Sequence, residues 1–455
     1  MNVLIYSIHR TEAWWRHIGK NLGFENSFVV SDLRGEGDFC VVDAFNARTE
    51  YHYREKSAFN DLLTEDEIDD VIARCRLLRF LPRRRAVSMI LAMSDAFSDV
   101  LQKSNPAAIL SFPIDRYVSD VLKRVAQKRN IPFYELTASA FPDMAMLMQR
   151  GDLVSTEEDP TPELVSERVK EIVEPLFLPS YVSNSKSFGK IQFLRTFLYF
   201  RARAIAFKAI SIWKRDRFNL HYLDAQSFLG HKPKITDIRI LDLTDDGWEE
   251  QLTRFPKEKR VFFGLQLFPE ASIDYWIEDR DLIAHERLIF EAVKAFSEAG
   301  YLVLVKDHPL QFGFRQKELI EKILKFENVC FLPYEVSGNH VLSHCGVSFT
   351  CTGTLGLQAA LMGIKSIVTP NYYSNSQDFI LIEDFDQVKQ LPKTVEATPD
   401  VADLEERRNR IVSNLLSGSF VGEFFSFEGF SKQPQYSDVA RFAQSVGQRL
   451  KALIE

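Results

Sequence analysis

The chain has 455 residues, with 56 Lys and Arg against 63 Asp and Glu, a net charge of −7. That length exceeds one ordinary core and suits two or three domains, and 45% hydrophobic with 26% charged residues is the balance of a soluble globular protein. The acidic balance argues against a dedicated nucleic-acid binder, and no run of about 18 uncharged apolar residues is present to cross a membrane.

The five cysteines, Cys40, Cys75, Cys330, Cys345 and Cys351, are odd in number and have neither a C-x-x-C pair nor zinc spacing. Free thiols in a reducing cytoplasm are expected. The first apolar run, residues 3–6, lacks a basic flank and is too short for a signal peptide. The 37 phenylalanines predict large aromatic cores or apolar grooves.

Residues 3–7 read as a buried strand, and Thr11-Glu12 opens a helix that runs to Leu22. Residues 27–31 and 39–42 are further apolar runs. Residues 64–104 read as helical, with a basic knot at Arg83-Arg84-Arg85. A strand at 107–112, a helix at 116–128 and a strand at 131–135 follow. Residues 152–185 are polar, acidic and proline-punctuated, an excursion from this first α/β unit.

Residues 186–222 differ sharply. Nine Lys and Arg stand against Asp216 alone, and nine aromatic residues are interleaved with them. Such a segment suits anionic lipid, with cations at headgroups and rings at the interface. It equally suits an amphipathic helix pair packed on the first unit.

A second α/β unit starts near Ile235. Strands are predicted at 238–243, 260–264, 301–305, 329–332, 346–350 and 366–369, with helices at 280–299 and 353–362. Terminal helices are predicted at 402–416 and 436–454. The expected fold class is therefore α/β: two Rossmann-like domains, residues 1–232 with a helical insertion at about 152–232, and residues 233–400. Residues 401–455 would close across them. That combination is the GT-B architecture, in which ligand lies at the strand C-termini.

Four groups of residues carry candidate chemistry. In Val303-Leu304-Val305-Lys306-Asp307-His308-Pro309 a strand ends in a cation and an imidazole, and Pro309 stops it. Alternation puts Lys306 and His308 on one face, where they could meet a phosphate and stabilise a departing nucleotide. An ordinary surface turn is the plain alternative. Ser348, Thr350, Thr352, Gly353 and Thr354 form a hydroxyl-rich turn into a helix. Hydroxyls, amides and the helix N-terminus there can surround an anion without a metal, although Thr352 or Thr354 could simply cap. Gln358, one turn in, could touch a ribose.

The third group is the loop after 260–264, with Gln266, Glu270, Ser272 and Asp274. Its carboxylates could serve as base or nucleophile. The fourth is Glu135 with Asp143, on the first unit. Asp245-Asp246-Gly247 makes Asp246 a further candidate, but D-D-G is equally a turn signature. His9 and Arg10 follow the first strand and could line a cleft.

Four runs then occur in one order: Glu135 with Phe141-Pro142-Asp143 and Arg150-Gly151, F-G-L-Q-L-F-P-E-A-S from Phe263, V-K-D-H-P from Val305, and T-G-T-L-G-L-Q-A-A-L-M-G from Thr352. In that order they resemble the capsular polysaccharide synthesis family of bacterial glycosyltransferases, which includes Kdo transferases. The resemblance covers roughly residues 131–151 and 260–375. It implies a metal-independent GT-B glycosyltransferase without cofactor, moving a sugar, Kdo foremost, from a CMP donor to a surface-polysaccharide or lipid-linked acceptor. Lys306 and His308 would hold the nucleotide phosphate beside Thr352 and Thr354. Glu135 would do acid/base work on an acceptor domain, and Asp274 or Asp246 would serve as nucleophile if configuration is retained. Leu136 and Thr137 stand where relatives with an E-D-G motif carry Asp and Gly, and Gln358 where many carry Glu. A sialyltransferase, a polyglycerol-phosphate transferase and a non-catalytic glycan-assembly protein are the alternatives. The expected location is the cytoplasm, including the inner membrane face.

Overall fold

The computed structural model describes residues 1–8, 11–141, 143–155, 159–173, 188–213, 233–422 and 436–454. His9, Arg10, Pro142 and both ends of the 186–222 segment lie outside these. The chain divides into two compact units, the first built on residues 1–158, 211–222 and 415–455, the second on 159–210 and 223–414.

Unit 1 is a sheet with parallel strands β1 (Asn2–Ser7), β2 (Asn26–Ser31), β3 (Phe39–Cys40), β4 (Ala108–Ser111) and β5 (Phe133–Ala138). An antiparallel margin follows, of β6 (Met144–Gln149) with β7 (Asp152–Leu153) and a C-terminal strand Ser419–Val421. The central strands are apolar on both faces because helices cover both. On one side α1 (Glu12–Asn21) and the last helix, Tyr436–Ile454, enclose Val3, Ile5, Trp15, Leu110 and Leu147. The α/β class is as the alternation predicts. The last helix also falls where expected, and it packs on α1 within unit 1.

Three local differences have physical causes. The helical stretch 64–104 breaks into α2 (Glu65–Arg74) and α3 (Arg83–Ser104), because Cys75 turns extended and Pro82 precedes the second helix. Thr64 closes a reciprocal capping box with Glu67. Thr11 caps nothing: its hydroxyl donates to the Ile8 carbonyl at 2.6 Å.

Unit 2 holds a second, all-parallel sheet of β8 (Arg260–Gly264), β9 (Leu302–Lys306), β10 (Val329–Phe331), β11 (Val347–Phe349), β12 (Lys365–Val368) and β13 (Ile380–Leu381). Its order is β10-β9-β8-β11-β12-β13. The chain thus moves outward from β8 to β10, then returns to the other side of β8 for β11. The strand order reverses between β8 and β11, and in open α/β sheets the ligand crevice lies beyond the strand C-termini at such a reversal.

The strand expected at 238–243 is instead part of a 3-10 helix, Ile235–Leu243. The Asp237 carboxylate accepts the Lys234 N–H at 2.8 Å, which winds the segment, and it packs on the helix Lys317–Ile323 rather than joining a sheet. The basic-aromatic segment contains one long helix, Lys190–Trp213, whose Phe193 and Phe200 meet Phe312 and Phe314 of unit 2. The insertion expected at about 152–232 in the first domain is divided: by contact, residues 159–210 belong with the second unit.

Candidate functional site

The loops after β8 and β11 are tied by one side chain. Gln266, two residues beyond β8, donates from Nε2 to Thr352 Oγ1 (3.0 Å) and accepts the Thr352 N–H on Oε1 (2.8 Å). Thr352 Oγ1 donates in turn to Ser272 Oγ at 2.7 Å. All three residues are buried. Glu270 reaches the same amide, with Gln266 Nε2 to Glu270 Oε2 at 3.4 Å. The β8 loop is shaped by a cis peptide at Phe268–Pro269, and Gln311 clasps the Phe268 N–H and carbonyl at 2.9 and 3.0 Å.

The turn after β11 permits close approach. Gly353 precedes the helix Thr354–Leu361 and has no side-chain cap. A Cβ there would lie 2.8 Å from Thr350 Oγ1 and 3.4 Å from Gln266 Cγ. Tyr373 Oη holds the Gly353 carbonyl at 2.7 Å. Thr350 Oγ1 is buried and has no hydrogen-bond partner among the described residues. Thr354 and Gln358 are half-buried on the first and second turns of that helix. The Gly353 and Thr354 amides and the positive helix end therefore lie at the strand reversal, an arrangement that suits an anion.

The residues of the K-D-H-P run part company. The Lys306 ammonium is buried and takes the Tyr334 and Asp307 carbonyls at 3.3 and 3.4 Å, and burial lowers its pKa. It thus fails to aim together with His308. The His308 ring accepts the Leu310 N–H on Nδ1 at 3.1 Å, which puts the ring hydrogen on Nε2. The ring is half-exposed, and Pro309 begins a 3-10 turn through Gln311. Asp307 is the structural member. Its Oδ1 accepts from Arg315 Nε and Nη2 (3.0 and 2.8 Å) and from the His308 N–H (2.9 Å), and its Oδ2 accepts the Tyr334 hydroxyl at 2.6 Å. Arg315 also donates to the Gln266 carbonyl at 2.7 Å, so this buried ion pair anchors the β8 loop to the end of β9.

Other predicted residues fall elsewhere. Ser348 lies inside β11 and pairs with Ser366 at 3.3 Å, which removes it from the crevice. Asp274 is fully buried in a π-helical turn, Ser272–Trp276, two residues from Ser272. Asp246 is exposed beside an Asx turn, in which Asp245 Oδ1 accepts the Gly247 N–H at 2.9 Å, so the turn reading describes it. Glu135, in unit 1, is fully buried. Its oxygens accept the Arg150 N–H (2.7 Å) and the Ile114 N–H (3.1 Å). Burial raises its pKa against the pull of those amides. In this arrangement Glu135 staples two loops, and no open face reaches it.

Sequence reasoning missed Asp307, Arg315, Tyr334, Gln311 and His285. His285 opens the helix His285–Glu298, stacks on Phe268 at 5.1 Å, and its Nδ1 lies 3.7 Å from Cys351 Sγ. Burial pushes its imidazole down to about 3, with Arg315 adding to the effect, so it is neutral. The same burial pushes Cys351 up to about 12. Only the D in K-D-H-P signals any of these in the sequence.

No protein-family model and no curated protein matches the chain. Among solved structures, the KpsC beta Kdo 2,4 transferase of Thermosulfurimonas dismutans superposes at 12% identity over 74% of this chain and 87% of that one, with a TM-score of 0.35. The UDP-GlcNAc 2-epimerase of Methanocaldococcus jannaschii, in complex with UDP-GlcNAc and UDP, superposes at 11% over 92% and 100%, with a TM-score of 0.28. A glycosyltransferase from Rickettsia africae does so at 9% over 98% of each chain, with a TM-score of 0.29. Values of this size establish neither a shared family nor a shared activity.

Proposed function

We propose that the chain is a glycosyltransferase of GT-B type that takes a sugar, Kdo foremost, from a CMP donor and passes it to a surface-polysaccharide or lipid-linked acceptor. The observation that carries this reading is the tie between Gln266, Thr352 and Ser272 at the β8–β11 reversal, beside a helix N-terminus without a side-chain cap. In the proposal the nucleotide phosphate sits on the amides of residues 353 and 354, with His308 Nε2–H as a further donor, while the Thr352 amide stays with Gln266 and fixes the turn. Charge developing on the leaving nucleotide is met by these fixed dipoles, so no metal is required. Gln358 faces the ribose. The choice of cytidine nucleotide and Kdo rests on the order of sequence motifs.

Lys306 supports this site from behind rather than touching phosphate, since its ammonium is spent on two carbonyls. Glu270 is the carboxylate in contact with the Gln266 amide, and it takes the acid/base role in place of the enclosed Glu135. A second reading, a nucleotide-sugar-binding assembly protein without chemistry, is favoured by the full occupation of both Glu135 oxygens.

The test is thermal unfolding with CMP, CDP, UDP and GDP in parallel. A ligand at about 100 times its dissociation constant adds roughly 2.7 kcal/mol to the folded state. A shift with CMP that disappears in Thr352→Val and weakens in His308→Ala is the expected result. A shift with UDP or CDP instead overturns the donor, and none with any nucleotide overturns the site. Donor turnover then separates the two readings: binding without sugar release or transfer leaves the non-catalytic one.

A further inference from the structure

Neither sheet accounts for the outer side of the long helix Lys190–Trp213. Its inner side is Phe193, Thr196 and Phe200. Phe193 is buried edge-on to Phe312 at 6.0 Å, Phe200 meets Phe314 at 4.3 Å, and Thr196 fills the space that a Cβ on Gly313 would need. At 3.6 residues per turn, the opposite side carries Ile191, Leu198, Ile205 and Ile212, spaced by seven. These are 70%, 63%, 71% and 72% exposed, and Trp213 beside them is 82% exposed. A contiguous apolar row left in water marks an interaction surface.

Charge identifies the partner. The helix contains Lys190, Arg195, Arg201, Arg203 and Lys208 and no acidic residue. Helical spacing places Lys190, Arg201 and Lys208 along one flank of the apolar row and Arg195 along the other. Arg195 and Lys208 are exposed and have no ion-pair partner among the described residues. No described helix is long and apolar enough to cross a bilayer.

We propose that this face lies in the plane of an anionic lipid bilayer surface, with the isoleucine row and Trp213 at the acyl boundary and the flanking cations among the phosphates. Seven-residue spacing would also suit pairing with a second copy of the helix. Such pairs use complementary charges on the flanks of the seam, and here the helix itself supplies only cations, of which Lys190 alone meets a carboxylate, Asp242 at 3.4 Å, among the described residues. The inference stands apart from the sugar-transfer reading, because no residue of the nucleotide site belongs to this helix.

The test is flotation of the full chain with vesicles of phosphatidylcholine alone and of phosphatidylcholine mixed with phosphatidylglycerol. The expected result is flotation with the anionic vesicles only, accompanied by a blue shift of emission that Trp213→Phe removes. Each headgroup-facing cation contributes about fivefold to partitioning, so Arg195→Gln with Lys208→Gln lowers it roughly thirtyfold. Ile205→Ser with Ile212→Ser abolishes it. These positions are exposed, and unchanged far-ultraviolet circular dichroism and melting confirm that the variants fold. Thr352→Val, which attacks the nucleotide site, floats like the wild type, so loss of nucleotide binding and loss of flotation are separate results. Equal flotation on neutral vesicles, indifference to the double variants, or absence of flotation overturns the proposal. A dimer in sedimentation that Ile205→Ser dissociates would assign the face to a second copy instead.

Discussion

Replacing Gln266 by Leu tests whether one side chain couples the β8 loop to the β11 turn. The substitution keeps the volume nearly constant and removes both bonds to Thr352, Nε2 to Oγ1 at 3.0 Å and Oε1 from the backbone N–H at 2.8 Å. A protein hydrogen bond contributes about 0.5–1.5 kcal/mol net. Two such bonds give about 2 kcal/mol against local opening, or roughly a thirtyfold change in rate. Hydrogen exchange followed by mass spectrometry on peptides across residues 348–356 reads this directly, because the Thr352 amide is the bonded donor. Gln311→Leu is the control. Gln311 clasps Phe268 in the same β8 loop without touching Thr352, so it should loosen residues 266–276 and spare 348–356. CMP should slow exchange across 348–356 in the wild type and not in Gln266→Leu. Unchanged exchange in Gln266→Leu, or equal acceleration in both variants, would refute the coupling and with it the idea of a preformed crevice.

The close approach at Gly353 predicts that Gly353→Ala, whose Cβ would meet Thr350 Oγ1 at 2.8 Å, destabilises unit 2 by about 1–3 kcal/mol and abolishes the nucleotide-induced shift in melting. A melting curve equal to wild type would show that the turn gives way freely. His285 predicts a pH dependence. Its folded pKa is lowered to about 3 from 6.5, so below pH 6.5 the unfolded chain gains a proton that the folded chain refuses. This residue's share of stability is whole above pH 6.5 and falls by about 1.4 kcal/mol per pH unit towards pH 3. Urea midpoints measured from pH 7 to pH 4 should fall less steeply in His285→Phe, and equal slopes would count against a neutral buried imidazole. Glu135→Gln places an amide against a backbone N–H that the carboxylate now accepts. It should cost about 1–3 kcal/mol in stability and leave nucleotide-induced stabilisation of unit 2 unchanged. Loss of transfer in a variant with wild-type melting would return Glu135 to the chemistry.

Much of the architecture was legible because parallel strands covered on both faces are continuous apolar runs, as in residues 3–6 and 302–305. The failures have local causes. Residues 238–243 alternate like a strand, but the Asp237 side chain turns the backbone at Lys234, and the winding that follows leaves no edge for a sheet. The antiparallel strand Met144–Gln149 is apolar from Met144 to Met148, a run that does not show its place between β5 and the strand Ser419–Val421, a partner some 270 residues away. No local pattern could announce that pairing.

The site divides in the same way. Gly353 and the threonines around it could be named because the turn chemistry is local: the glycine, the hydroxyls and the helix they open are consecutive. The support beneath is not local. Asp307 meets Arg315 eight residues on and Tyr334 twenty-seven residues on, and the latter contact exists only because β10 pairs with β9. Period-two reasoning selected Lys306 and His308 as a pair and set aside the residue between them. In the fold that middle residue fixes the strand end: one Asp307 oxygen holds the His308 amide and Arg315, and Arg315 holds the Gln266 carbonyl. A buried charge with four donors on its two oxygens is costly to break from either side. The geometry of the imidazole and of the amide that ties the two loops thus depends on a carboxylate that never reaches the crevice.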